Sequence, residues 1–154
     1  MNAPRREKET LKEEAQSTSS EARTVLPGIQ ALFGFQLIAV FNESFGKLSG
    51  VERTAHFVSL LMVAVSAALV MTPAAYDRIA ERGVVTDYFI GMSSLFITAG
   101  MVFLMFGLTL DIYVLSQIVF ENGGISVALA AGVWLMLALL WFAFPFYRRR
   151  HRPY

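Results

Sequence analysis

Four apolar stretches, separated by short polar breaks, dominate the chain from residue 26 to residue 147. The first covers residues 26–43 and is the most polar of the four, with Gln30 and Gln36 inside it and Asn42 and Glu43 at its end. Its uninterrupted apolar part is short against the roughly twenty residues a helix needs to span a bilayer. Pro27 suits a first helical turn, where the missing N–H costs nothing. Gly46 and Gly50 break the chain, and Ser49 with Glu52 three residues on has the form of a capping box, which predicts a second helix over residues 51–76. A third run over residues 88–118 is long enough to cross with tilt. Glu121-Asn122-Gly123-Gly124 predicts a stop, with the glycines taking left-handed angles. The fourth stretch, residues 125–147, has no charge, holds Trp134 and Trp141, and meets the interface at Tyr147.

The pattern predicts an all-α, polytopic integral membrane protein built as a four-transmembrane-helix bundle. Composition strengthens that reading. Hydrophobic residues make up 55% of the 154 residues and charged residues 16%, and a soluble domain of this size would leave much of that apolar surface in water. Outside the spans, residues 1–24 form a charged tail, expected to be disordered or loosely helical, and residues 148–154 a basic one.

Basic residues set the orientation. The leading tail holds Arg5, Arg6, Lys8, Lys12 and Arg23, the connection over residues 77–87 holds Arg78 and Arg82, and the end of the chain holds Arg148, Arg149, Arg150 and Arg152. With four spans all three groups fall on one side, facing only Lys47 and Arg53 on the other. The excess places both termini in the cytoplasm and the protein in the cytoplasmic membrane. The terminal arginines then act as topology and lipid anchors.

Charge and residue types also narrow the chemistry. The net charge of +1 gives no field for a nucleic-acid partner. Absent cysteine and only two histidines leave no metal site or cofactor to expect. The spans contain no paired acids, no His–Glu zinc motif and no Ser–His arrangement, so an enzyme is not expected.

Certain residues point to a family. The run Leu26-Pro27-Gly28-Ile29-Gln30-Ala31-Leu32-Phe33-Gly34-Phe35, followed by Phe41, Phe45, Leu48 and Arg53, and then Thr72-Pro73-Ala74-Ala75-Tyr76-Asp77-Arg78, resembles an uncharacterised bacterial family of four-span membrane proteins. That family tends to enter its first span with Gly-x-Gln-x-Leu-Phe-x-Phe and to leave its second with Pro-Ala-Ala-Tyr-His-Arg. This chain departs at Asp77, where the pattern has His, so a role resting on that His does not carry over. The specific motifs lie in the first half of the chain. Some members carry an automatically transferred sodium–proton antiporter label.

The candidate chemistry rests on few polar groups. A carboxylate within a span is a functional hypothesis by default, which singles out Asp111 for cation binding or proton relay. Counted from Tyr88 it lies roughly 35 Å along its helix, near the outer interface, where an inter-helix hydrogen bond is the plainer role. Gln30 and Glu43 join it as a candidate ion or proton path. Gln30 and Gln36 stand about 240° apart on a helix and so do not share a face; hydrogen bonding across helices is their simpler role. His56, one turn into the second span, reads either as a pH sensor or as a satisfied interfacial histidine. Ser93, Gly100 and Gly107 repeat every seven residues, and Ala128 with Gly132 forms a small-x-x-x-small pair; both patterns predict close helix packing. Two functions follow. One is ion or proton transport by a homo-oligomer, with the lipid bilayer and a cation or proton as partners. The alternative is a non-transporting accessory, scaffold or envelope-stress protein.

Overall fold

A computed structural model describes residues 11–80 and 86–151. Residues 1–10 of the charged tail, Glu81 and Arg82 of the central connection, and Arg152 of the basic end lie outside the described residues. Four helices follow one another, with no strand among the described residues: α1, Leu11–Ala39; α2, Gly50–Ala80; α3, Asp87–Phe120; and α4, Gly123–Arg150. The last three are long and apolar enough to cross a membrane. Their outward faces are apolar too, with Phe57, Leu95 and Leu140 exposed. A bilayer accommodates such a surface and water does not, so the architecture is compatible with a membrane protein.

The helix ends follow local chemistry. The Ser49 N–H donates to Glu52 Oε2 at 2.6 Å and the Glu52 N–H to Ser49 Oγ at 3.4 Å, the reciprocal pair of a capping box at the start of α2. Between α1 and α2 a 3-10 turn, Glu43–Lys47, is capped by Asn42 and pinned by Arg53, whose Nη2 donates to the Gly46 carbonyl at 2.6 Å. Thr86 caps α3 and Asn122 caps α4. At the stop between them it is Glu121, with φ 49°, that takes the left-handed angle expected of the neighbouring glycines. The chain must reverse within Glu121 and Asn122, and Gly123 and Gly124 are already the first residues of α4.

Two departures from the sequence reading concern helix length and continuity. α1 begins at Leu11, so the helix runs through Pro27 rather than starting there. Within α4 the residues Leu139–Ala143 form a π-helical turn, with the Phe144 N–H donating to the Leu139 carbonyl. Pro145 explains it. Its ring would collide with the carbonyl four residues earlier, and widening the preceding turn relieves the clash.

The core sits along an antiparallel seam between α2 and α3. On α3, Ser93, Gly100 and Gly107 are buried on the face toward α2. A Cβ at Gly100 would lie 2.8 Å from Val70 Cγ2, and one at Gly107 2.9 Å from Val63 Cγ2. α2 answers with its own seven-residue stripe: Ser59 Oγ donates to the Gly107 carbonyl and Ser66 Oγ to the Gly100 carbonyl, each at 2.8 Å. Both serines are fully buried. Backbones this close let a serine reach across to a carbonyl, which satisfies its hydroxyl where water is absent. Ile29 from α1 and Val63, Val70 and Leu104 complete the apolar centre, with Trp141 of α4 against it.

The small pair on α4 is a correction. Ala128 is exposed, and nothing lies within 4 Å of where a Gly132 Cβ would stand. α4 instead buries Ser126, Ala130 and Leu137. Two residues on a helix are about 200° apart, so the pair at 128 and 132 faces away from the contact that 126 and 130 make.

A candidate cation site beneath the 3-10 turn

Where the α2–α3 seam approaches the 3-10 turn, its next polar members meet the end of α1. Gln36 lies in the last turn of α1, His56 about two turns into α2, and Asp111 one turn beyond Gly107 on α3. Gln36 Nε2 donates to Asp111 Oδ2 at 2.5 Å and to Ser59 Oγ at 2.8 Å. His56 Nε2 lies 3.0 Å from the backbone carbonyl of Gln36, and its Nδ1 lies 3.8 Å from Asp111 Oδ1. Gln36 and His56 are buried, and Asp111 is 19% exposed. Phe45 packs edge-on against the His56 ring, with centroids 5.2 Å apart.

The hydrogen inventory of this cluster is informative. Both amide hydrogens of Gln36 are committed, so the amide orientation is fixed by the two acceptors it faces. Its Oε1 is buried without a partner. A carbonyl can only accept, so His56 Nε2 must carry the hydrogen toward the Gln36 carbonyl. With the ring neutral, Nδ1 then turns a lone pair toward Asp111 Oδ1. His56 Nδ1 and Asp111 Oδ1 therefore face each other as two acceptors 3.8 Å apart. A buried acceptor without a partner costs about 1–3 kcal/mol, and more for a charged group. A donor or a cation placed between them satisfies both.

The cluster forms the polar floor of a cavity of about 460 Å3 between α1 and α3. Its walls are apolar, from Leu32 and Phe35 on α1 to Leu108, Ile112 and Leu115 on α3, and the 3-10 turn covers one end through Ser44 and Phe45. No Lys or Arg lines it among the described residues; Asp111 is its one carboxylate. Phe35 and Leu115 are strongly exposed, so the cavity opens sideways along the apolar surface. A more polar pocket of about 290 Å3, lined by Lys47, Glu52 and Glu121, adjoins it through Ser44 and Ile118. Farther along the bundle the apolar centre of Ile29, Val63, Val70 and Leu104 intervenes, and beyond it lies a cavity of about 180 Å3 flanked by Arg23, Asp77 and Arg78.

The expected path residues separate. Asp111 sits in the cluster, but Gln30 is exposed on α1 next to the buried Ile29, and Glu43 is exposed at the start of the 3-10 turn. Gln36 takes the place expected of Gln30, because six residues along the helix put it on the face that meets α2 and α3. His56 joins through its spacing: it precedes Val63 by the same seven residues that separate Val63 from Val70, so it belongs to the buried stripe. Of the terminal arginines, Arg148, Arg149 and Arg150 are exposed at the end of α4.

No curated protein and no solved structure matches the chain. Residues 6–145 match a family of unknown function, DUF6328. With nearly the whole helical region covered, the chain belongs to that family.

Proposed function

We propose that this chain is a four-span protein of the bacterial cytoplasmic membrane that binds a proton or monovalent cation at the Gln36–His56–Asp111 cluster and moves it across the bilayer as a homo-oligomer. The observation that carries this reading is the part-buried carboxylate of Asp111, held by Gln36 Nε2 and facing His56 Nδ1 at 3.8 Å, with no Lys or Arg among the described residues that line its cavity. The fourth span is α1. At 29 residues it is about 43 Å long, and its second half carries the buried Ile29 and Gln36 toward α2 and α3. The last carbonyls of α1 point to the same end of the bundle, and a helix C-terminus favours positive charge. The free small face of α4 at Ala128 and Gly132 suits a second copy.

Two measurements test the reading. Reporter fusions after Arg150 are expected to read out in the cytoplasm; a signal from the opposite side would overturn the orientation. Purified protein in liposomes is expected to dissipate an imposed proton or sodium gradient, and Asp111→Asn to reduce that flux to the level of empty liposomes. Wild-type flux no greater than that of empty liposomes would remove transport. The alternative, a non-transporting accessory, scaffold or envelope-stress protein, has one observation in its favour. The apolar centre of Ile29, Val63, Val70 and Leu104 separates the cluster from the cavity at Arg23 and Arg78, leaving no polar path along a single chain among the described residues.

A further inference from the structure

We infer that the cavity between α1 and α3 is a binding site for an amphiphilic organic cation, a protonated primary amine on an apolar body, with the ammonium seated against the Asp111 carboxylate. The inference rests on the reading of the cluster as a cation site and goes beyond it by naming the ligand class. An inorganic cation or a proton needs only the polar floor. The floor here stands under a cavity of about 460 Å3 with apolar walls, within the roughly 300–1,000 Å3 range of small-molecule sites. The two parts match a ligand with one charged end.

Three features favour an ammonium. Its hydrogens are donors and it has no acceptor, the complement of the Asp111 carboxylate on the cavity floor. Asp111 supplies the counter-charge, and no Lys or Arg among the described lining residues competes for it. Phe35 and Phe45 line the same cavity, and aromatic faces attract organic cations. The sideways opening at Phe35 and Leu115 suits a molecule that partitions into a bilayer before it binds. Gln36 gives the site its build: it is 4% exposed, lines the cavity, and holds the Asp111 carboxylate from Nε2.

The test uses the full chain in phosphatidylcholine nanodiscs, with empty nanodiscs as the partition control. The probes are 4-phenylbutylamine and its neutral counterpart 4-phenylbutanol, each followed by equilibrium dialysis. The amine is expected to bind saturably, one per chain, and the alcohol about tenfold or more weaker. Asp111→Asn should weaken the amine by a similar factor while leaving the alcohol unchanged. Leu115→Trp, which fills the cavity from a partly exposed wall, should abolish binding of both, and it keeps the test decisive should Asp111→Asn fail to fold. Equal binding of amine and alcohol, or wild-type amine binding by Asp111→Asn, would overturn the inference and leave the groove to an acyl chain or a second copy. No saturable amine binding would overturn it as well. If amine binding fails while Asp111-dependent flux persists, the ligand assignment alone falls. If amine binding holds without flux, the ligand stands and transport falls.

Discussion

Replacing Gly107 by Leu is expected to force α2 and α3 apart and to dismantle the candidate site with them. A Cβ at this position already lies 2.9 Å from Val63 Cγ2 and 3.4 Å from the Ser59 carbonyl. Neither neighbour yields easily. Val63 is fully buried on a helix, where a β-branched side chain has one strongly preferred rotamer, and the carbonyl belongs to the helix backbone. Adding methylenes to a packed core costs about 1–3 kcal/mol, and a whole isobutyl group at this separation should cost at least about 3 kcal/mol. The damage reaches the site through two links. Ser59 Oγ loses the Gly107 carbonyl to which it donates, and the same hydroxyl accepts from Gln36 Nε2. Asp111 stands one turn farther along the displaced helix. Unfolding of the purified protein in mixed micelles measures the stability, with Gly91→Leu as the comparison. Nothing lies within 4 Å of the Gly91 Cβ position, so that change should stay within about 0.5 kcal/mol. Equal stability of the two variants would mean that the seam does not hold the helices at this distance.

That seam shows how far the sequence was legible. The apolar runs and their breaks gave α2, α3 and α4 within a few residues, because long uncharged stretches and a capping box are local signals. The glycines at 100 and 107 announced their spacing through the same local pattern. The answering stripe on α2, with Ser59 and Ser66 seven apart, is equally regular but does not announce its role, because serine within a span reads as mildly polar filler until a carbonyl opposite it is known. The site was legible only in part. Asp111 stood out as an acid in an apolar run, but its partners depend on the register between helices, and the ten residues from 40 to 49 set that register for α1. Gln30 and Gln36 are chemically identical in sequence; only the face that α1 turns toward α2 separates the exposed one from the buried one. The length of α1 was missed for another reason. Its first half is polar, so hydropathy gives no sign of it, although Glu, Lys and Ala there are good helix formers.

Because Asp111 Oδ1 faces His56 Nδ1 without a hydrogen bond, Asp111→Asn is expected to make the protein more stable while removing its cation affinity. Asparagine has the size of aspartate. Its Oδ1 accepts from Gln36 Nε2 as Asp111 Oδ2 does, at 2.5 Å in the parent structure. Its Nδ2 then takes the place of Asp111 Oδ1, which lies 3.8 Å from His56 Nδ1. Two acceptors that faced each other become a donor and an acceptor, and a slight approach closes a hydrogen bond. One such bond is worth about 0.5–1.5 kcal/mol, and a partly buried charge is removed at the same time. The expected gain is therefore about 1 kcal/mol in the mixed-micelle unfolding measurement. The opposite outcome has a distinct meaning. Were Asp111 the structural partner of a permanently protonated His56, breaking the pair would strand a buried charge and cost about 3–5 kcal/mol. The sign of the change thus separates a site kept for binding from an ion pair kept for folding. A carboxylate whose removal stabilises the bundle is a group retained against stability, and sites of that kind are retained for the ligand that completes them.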